Sequence, residues 1–210
     1  MANRTTGDIL HSARQTLTTM EKGLADLSSG DPNRRVAGLH NLVVFGRAVT
    51  NVLQNLRSTE PDFDAWYAPH RAEMEGDPLL KYLYTLRSEI LKEGILPLAV
   101  STHIRQLRFP EDLARLGPPP PNAKGFFIGD SIGGSGWEVE LADGRTEKYY
   151  ARLPADIGGA TVHLPDAPAT HMGRPLKGND VTTIGGAYVA YLRKLVMDAE
   201  HRFAQRKAED

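Results

Sequence analysis

Between residues 10 and 27 the apolar side chains fall at Leu10, Ala13, Leu17, Met20, Leu24 and Leu27, in alternating steps of three and four. Only a helix brings such positions onto one stripe, so the spacing predicts a helix from about residue 6 to 28 whose stripe must be covered by other elements. The segment that follows supplies candidates. "GDP" at 30 to 32 reads as helix punctuation: Gly30 suits the left-handed position after a helix, Asp31 caps the next one, and Pro32 fits its first turn. The tripeptide recurs at Gly76, Asp77 and Pro78. A second helix, from about 32 to 57, carries Val36, Leu39, Val43, Val49, Val52, Leu53 and Leu56 on a stripe widened by Leu42, Val44 and Phe45, which marks it as the most buried. Gly46 in its middle costs about 1 kcal/mol relative to alanine, and the expected compensation is the close approach of a neighbouring helix. A third helix starts near Pro61 with Phe63, Trp66 and Tyr67, and Pro69 bends or ends it. The fourth uses Leu79, Leu80, Leu83, Leu86, Ile90 and Leu91. Short turns between amphipathic helices describe an antiparallel four-helix bundle over residues 1–95.

After Gly94 the pattern changes. "LAVSTHIRQLRF" fits either a strand or a helix, and "GPPPPNA" is a stiff connector that no helix crosses, so residues 96–122 read as a connector with a proline hinge. Residues 123–210 form the second part. "GFFIGD", "GWEVEL" and "TEKYYARL" predict an antiparallel meander with Asp143-Gly144 as its second turn, extended by "ATVHLP". A last helix from about 182 to 206 is striped by Ile184, Val189, Leu192, Val196, Ala199 and Phe203, and must cover the sheet or dock on the bundle. The fold class is α+β.

The composition is that of a folded chain: 40% of residues are hydrophobic and 24% charged. The net charge of -1 gives no overall attraction to nucleic acid, so RNA contact would rest on local patches. Arg34, Arg35 and Arg47 on the second helix are candidate phosphate contacts, as are Arg193, Lys194, Arg202, Arg206 and Lys207 on the last. Phe126, Phe127, Tyr149 and Tyr150 offer rings for bases, but neighbours on a strand face opposite ways, so at most one of each pair is available. The lack of cysteine excludes disulfides, thiolate nucleophiles and cysteine zinc sites. A polar N-terminus and the lack of any run of about 18 apolar residues predict a soluble, cytoplasmic, bacterial protein without a membrane partner. No motif calls for a cofactor.

Arg87, in "LRSEILKEG", lies four residues after Leu83 and three before Ile90, so it borders the apolar stripe of the fourth helix. Its head either pairs with a bundle carboxylate or anchors a phosphate or a partner's carboxylate. "HLPDAPATHMGRP" holds His163, Asp166 and His171, candidates for a metal or acid/base group whose spacing fits no metal motif; the alternative is a connecting loop with incidental histidines. His40 reads as a core-edge residue and His103 as a strand-face residue. "GDSIGGSG" offers a backbone nest for an anion but lacks the lysine and following helix of a P-loop, and reads as a hairpin loop.

The four-helix reading over residues 5–94, closed by Arg87, Ser88 and a short run, resembles the HEPN superfamily. In its ribonuclease members the resemblance implies an arginine that holds the scissile phosphate and a histidine that works on the RNA 2′-hydroxyl, often in a site shared by two subunits. Arg87 and Ser88 match the first two places, while Leu91, Lys92 and Glu93 occupy those where the histidine stands. Glu89 and Glu93 both favour a charged ammonium at Lys92, which suits contact with phosphate and not proton abstraction. The reading is therefore a non-catalytic binding or interaction module that self-associates or meets a protein partner, with the resemblance implying a toxin-antitoxin or phage-defence system. The alternative is a metal-independent ribonuclease with an atypical site at Arg87, Ser88 and Lys92. A third reading is a small-molecule enzyme using His163, Asp166 and His171.

Overall fold

The computed structural model describes residues 4–108 and 110–204. The first helix, α1 (Thr6–Leu27), starts on a reciprocal cap in which Thr5 accepts from the Asp8 amide and the Asp8 carboxylate accepts from the Thr5 amide. Asp31 accepts from the amides of Asn33 and Arg34 to open α2 (Pro32–Leu53), which a 3-10 turn, Gln54–Ser58, prolongs. Next come α3 (Phe63–Gly76) and α4 (Pro78–Glu93); Asp77 caps α4, and Gly94, at φ 68°, ends it. In both "GDP" triplets the aspartate and proline act as expected. The glycines do not: neither Gly30 nor Gly76 is left-handed, because α1 closes instead at Ser28 (φ -87°), whose N–H bonds back to Ala25 and Asp26, and Gly76 is the last helical residue of α3, closed by Asp77. Nor does Pro69 end its helix. Its ring is exposed, and α3 runs on to Gly76.

The stretch left open between strand and helix contains β1 (Ala99–Ile104), followed by a single helical turn, α5 (Glu111–Ala114). A three-stranded meander follows, β2 (Ala123–Ile128), β3 (Ser135–Glu140) and β4 (Thr146–Tyr150), turning at Gly144 as predicted. The expected extension by "ATVHLP" is corrected. That segment is β5 (Gly158–His163), and it pairs antiparallel with β1, Val100 opposite Val162. Two physical reasons apply. A Cβ at Gly158 would lie 2.4 Å from the His103 carbonyl oxygen, so glycine is what allows that approach, and Val162 and Leu164 enter the core shared with the helices. A small hairpin, β6 (Thr170–His171) and β7 (Arg174–Pro175), leads to α6 (Val181–Ala204).

Of the two roles open to the last helix, docking on helices is the one realised. Val189, Leu192, Val196, Ala199 and Phe203 are buried in one core with residues of α1, α2, α3 and α4. Arg14 pairs with Glu200, and Arg193 with Glu21 at 2.8 Å, along the α1–α6 seam. Phe203 meets Trp66 edge-on with ring centroids 5.2 Å apart, which adds α3. Gly46 has the close neighbour its position demanded: a Cβ there would fall 2.3 Å from Cε1 of Tyr188 on α6.

Within residues 32–58 one 18-residue window reaches a mean hydropathy of 1.3, which by length and composition alone is enough to cross a membrane. Polar residues interrupt this segment, which holds no unbroken run of about 18 apolar residues. In the fold Leu39, Leu42, Val43, Val49 and Leu53 of this helix are buried against protein.

Candidate functional site

Where α2, its 3-10 extension, α3, α4 and α6 meet, they leave a cleft of about 900 Å³. Four cations line it: Arg47 from α2, Arg57 from the 3-10 turn, Arg71 from α3 and Lys81 from α4. Only two carboxylates, Asp64 and Glu75, face them, and each is already engaged. Asp64 pairs with Arg57 at 2.8 Å and Glu75 with Arg71 at 2.7 Å. Arg47 and Lys81 form no ion pair among the described residues. Arg47 donates from Nη1 to Thr50 Oγ1 at 2.8 Å, and its guanidinium lies 5.5 Å from the centroid of the Tyr84 ring.

Tyrosines make up much of the wall. Tyr84 is 57% exposed, whereas Tyr67 and Tyr188 are buried. Burial raises the Tyr67 hydroxyl above its ordinary pKa, with Arg47 and the side chains of Gln54 and Thr50 pulling the other way. Burial pushes Tyr188 up too, against the fields of Arg47 and Arg87. Tyr191 is likewise raised by burial, and donates to the His70 carbonyl at 3.4 Å. All three phenols therefore add no negative charge at neutral pH, beside two cations that have no ion pair among the described residues. Its chemistry suits an anion.

The residues singled out from sequence are mostly spoken for elsewhere. Arg34 pairs with Asp26 at 2.6 Å. Arg35 donates from Nη2 to the carbonyls of Ile132 and Gly133 at 3.2 and 2.8 Å, so it ties the β2–β3 loop to α2; burial lowers its pKa. Of the three arginines on α2, Arg47 alone faces the cleft. On α6, Arg193 meets Glu21, Lys194 meets Asp198 at 2.5 Å, and Arg202 meets Asp62, while Arg206 and Lys207 lie outside the described residues. Arg87 is half-buried; it pairs with no carboxylate among the described residues, and its Nε has no hydrogen-bond partner. Ser88 donates to the Tyr84 carbonyl at 3.1 Å, and Lys92 is exposed at the helix end.

His163, Asp166 and His171 do not converge. His163 Nδ1 lies 2.9 Å from Asn179 Oδ1, Asp166 occupies a left-handed turn at φ 56°, and His171 Nδ1 lies 3.1 Å from Asp77 Oδ1. Among the described residues no group of three such side chains is placed to hold a metal ion. The glycine loop is a hairpin loop with its nest filled from within. Asp130 Oδ1 accepts from the amides of Ile132 and Gly134, and Oδ2 from Lys148 Nζ and the Tyr150 hydroxyl, at 2.8 to 3.1 Å. Burial raises the Asp130 carboxyl, but these donors outweigh it and hold the group below the usual carboxylate range. Phe126 and Phe127 each pack edge-on against a neighbour, Trp137 and Tyr150, and Tyr149 is left exposed.

Sequence reasoning missed most of the cleft, because its residues come from five segments and no two adjacent motifs announce it. One signal was available: tyrosines spaced by three on α6 (Tyr188, Tyr191), on one face of that helix.

Residues 25–107 match the family model of bacteriophage lambda protein ea47. The match runs from the end of α1 to just beyond β1, less than half the chain. It includes every cleft residue from Arg47 to Thr85 and excludes those of α6. No curated protein matches the chain, and no solved structure does.

Proposed function

We propose that the protein is a non-catalytic binding protein of a phage-associated, cytoplasmic setting, and that the cleft between α2, α3, α4 and α6 is where it engages its ligand or partner. The observation that carries this reading is Arg47, together with Lys81, facing a cleft of about 900 Å³ without a carboxylate. Two like charges left uncompensated at one surface cost energy that a bound anion recovers. The match of residues 25–107 to bacteriophage lambda protein ea47 supports the phage association.

The arrangement at the end of α4 supports a binding role over an RNA-cleaving one. Ser88 spends its hydroxyl on its own helix, and Lys92 stands exposed with Glu89 and Glu93 as neighbours. No imidazole stands beside them among the described residues of α4 to take a proton from a 2′-hydroxyl. The HEPN-like reading of residues 5–94 is thus taken in its non-nucleolytic form. Incubation of the purified protein with mixed RNA and a metal chelator, alongside Arg87→Ala, is expected to leave the RNA intact with both. Cleavage by the wild type that disappears in Arg87→Ala would overturn the reading in favour of an atypical ribonuclease.

A further inference from the structure

The cleft's composition says more about its occupant than its charge alone. Arg57 and Arg71 are matched by Asp64 and Glu75, which leaves a local excess of two positive charges, those of Arg47 and Lys81. A long polyanion fits this poorly: beyond the two free cations its next phosphates would meet the carboxylates of Asp64 and Glu75, in a chain whose net charge is -1. One anionic group fits well. A bare inorganic ion, however, would leave most of the cleft to water, since about 900 Å³ lies toward the upper end of the roughly 300–1,000 Å³ that drug-sized ligands occupy. The remaining wall mixes apolar and aromatic side chains, Leu80, Leu192, Met74 and the tyrosine rings, with the polar groups of Thr50, Gln54 and Thr85. Tyr84 leaves its ring more than half exposed, beside the Arg47 guanidinium at 5.5 Å. With Arg47 over one face of the Tyr84 ring, the other face is a platform on which a second flat ring stacks while its acidic substituent reaches the guanidinium, which has no ion pair among the described residues.

Resting on the reading of the cleft as the binding site, we propose that its ligand is a small molecule built on an aromatic ring bearing one anionic oxygen group, carboxylate or phosphate. Arg47 and Lys81 hold the anion, and Tyr84 with the buried tyrosines receives the ring. The phenols of Tyr67 and Tyr188 line the cleft without adding negative charge.

Calorimetric titration of the full chain in low-salt, phosphate-free buffer tests this, with phenyl phosphate and benzoate as probes and inorganic phosphate, phenol and a single-stranded RNA oligonucleotide as contrasts. Saturable one-to-one binding of phenyl phosphate or benzoate is expected, and the tighter of the two identifies the anionic group. Inorganic phosphate and phenol are each expected to bind at least about tenfold more weakly. Lys81→Ala and Tyr84→Ala, both at exposed positions, are each expected to weaken the aromatic anion by about tenfold, the size of one charge-assisted contact or one stacking contact. Inorganic phosphate binding as tightly as phenyl phosphate would overturn the aromatic part. RNA binding more tightly than either probe and lost in Lys81→Ala would overturn the ligand class while leaving the cleft as a binding site. Failure of every probe to saturate at millimolar concentration, or indifference of binding to both variants, would sink the ligand class and the cleft together.

Discussion

At the scale of single residues, Gly46 shows how one missing methyl group shapes the site. The helix loses about 1 kcal/mol by carrying glycine at that position, and in return the Tyr188 ring lies against the α2 backbone at the floor of the cleft. Gly46→Ala regains the propensity but places a Cβ 2.3 Å from Tyr188 Cε1, so the ring must move. Overpacking of that kind costs about 1–3 kcal/mol, which exceeds the gain. Urea denaturation is expected to show a net loss of about 1–2 kcal/mol, with Tyr188 displaced toward the cleft; a more stable variant would show that the ring yields without strain. The position of this glycine was legible in the sequence, and so was the need for a close neighbour. Its neighbour's identity was not, because Tyr188 lies 142 residues away in the chain and no local pattern pairs the two. Arg87 illustrates the opposite case. Its place at the edge of an apolar stripe was readable, yet the carboxylate expected to meet it is not there among the described residues, and which groups converge on a half-buried guanidinium is decided by other helices.

At the scale of elements, the tie between α4 and the β6–β7 hairpin rests on Asp77. This buried carboxylate accepts from the Leu80 amide as a helix cap, from the Met172 amide at 2.6 Å, and meets His171. Asp77→Ala removes a cap worth about 0.5–2 kcal/mol and leaves the part-buried Met172 amide without its acceptor, so a total loss of about 1–3 kcal/mol is expected in chemical denaturation. Burial raises the Asp77 carboxyl, but the hydrogen bonds from Met172, Leu80 and His171 prevail and leave it below the ordinary value of 3.8. A depressed carboxylate contributes its stability fully above that ordinary value and loses it as the pH falls through the lower folded value. Thermal melts of the wild type are therefore expected to show a drop below about pH 4, shared with other lowered carboxyls such as Asp130 and Asp180 and smaller in Asp77→Asn; an identical acid limb in both would show that Asp77 contributes nothing to it. The Asp-Pro start of α4 was plain from sequence. That the same aspartate also anchors a hairpin nearly a hundred residues on was not, since the second set of donors comes from the backbone of a loop.

For the whole molecule, the decisive feature is that helices from both ends of the chain share one core. The buried faces of α1 and α2 are covered by α6, and the cleft takes Tyr188, Tyr191 and Leu192 from that same helix. A fragment of residues 1–95 would leave those faces in water, at about 25 cal/mol for each Å² of apolar surface left uncovered. Such a fragment is expected to show no cooperative thermal transition in circular dichroism, and adding a peptide of residues 181–204 is expected to restore one. A sharp transition in the fragment alone would show that the N-terminal helices close a core by themselves. What the sequence determined on its own was local: periodicity set the long helices, aspartate and proline set where two of them begin, and alternation with a glycine turn set the meander. These depend on interactions a few residues apart, which backbone geometry and side-chain spacing dictate. The pairing of β1 with β5, the docking of α6 and the gathering of Arg47, Lys81 and four tyrosines around one cleft were decided only by the tertiary structure. They join residues from 34 (Arg47 and Lys81) to 186 (Arg14 and Glu200) positions apart, and at such distances the hydrophobic effect specifies that apolar faces be covered without naming which segment covers them.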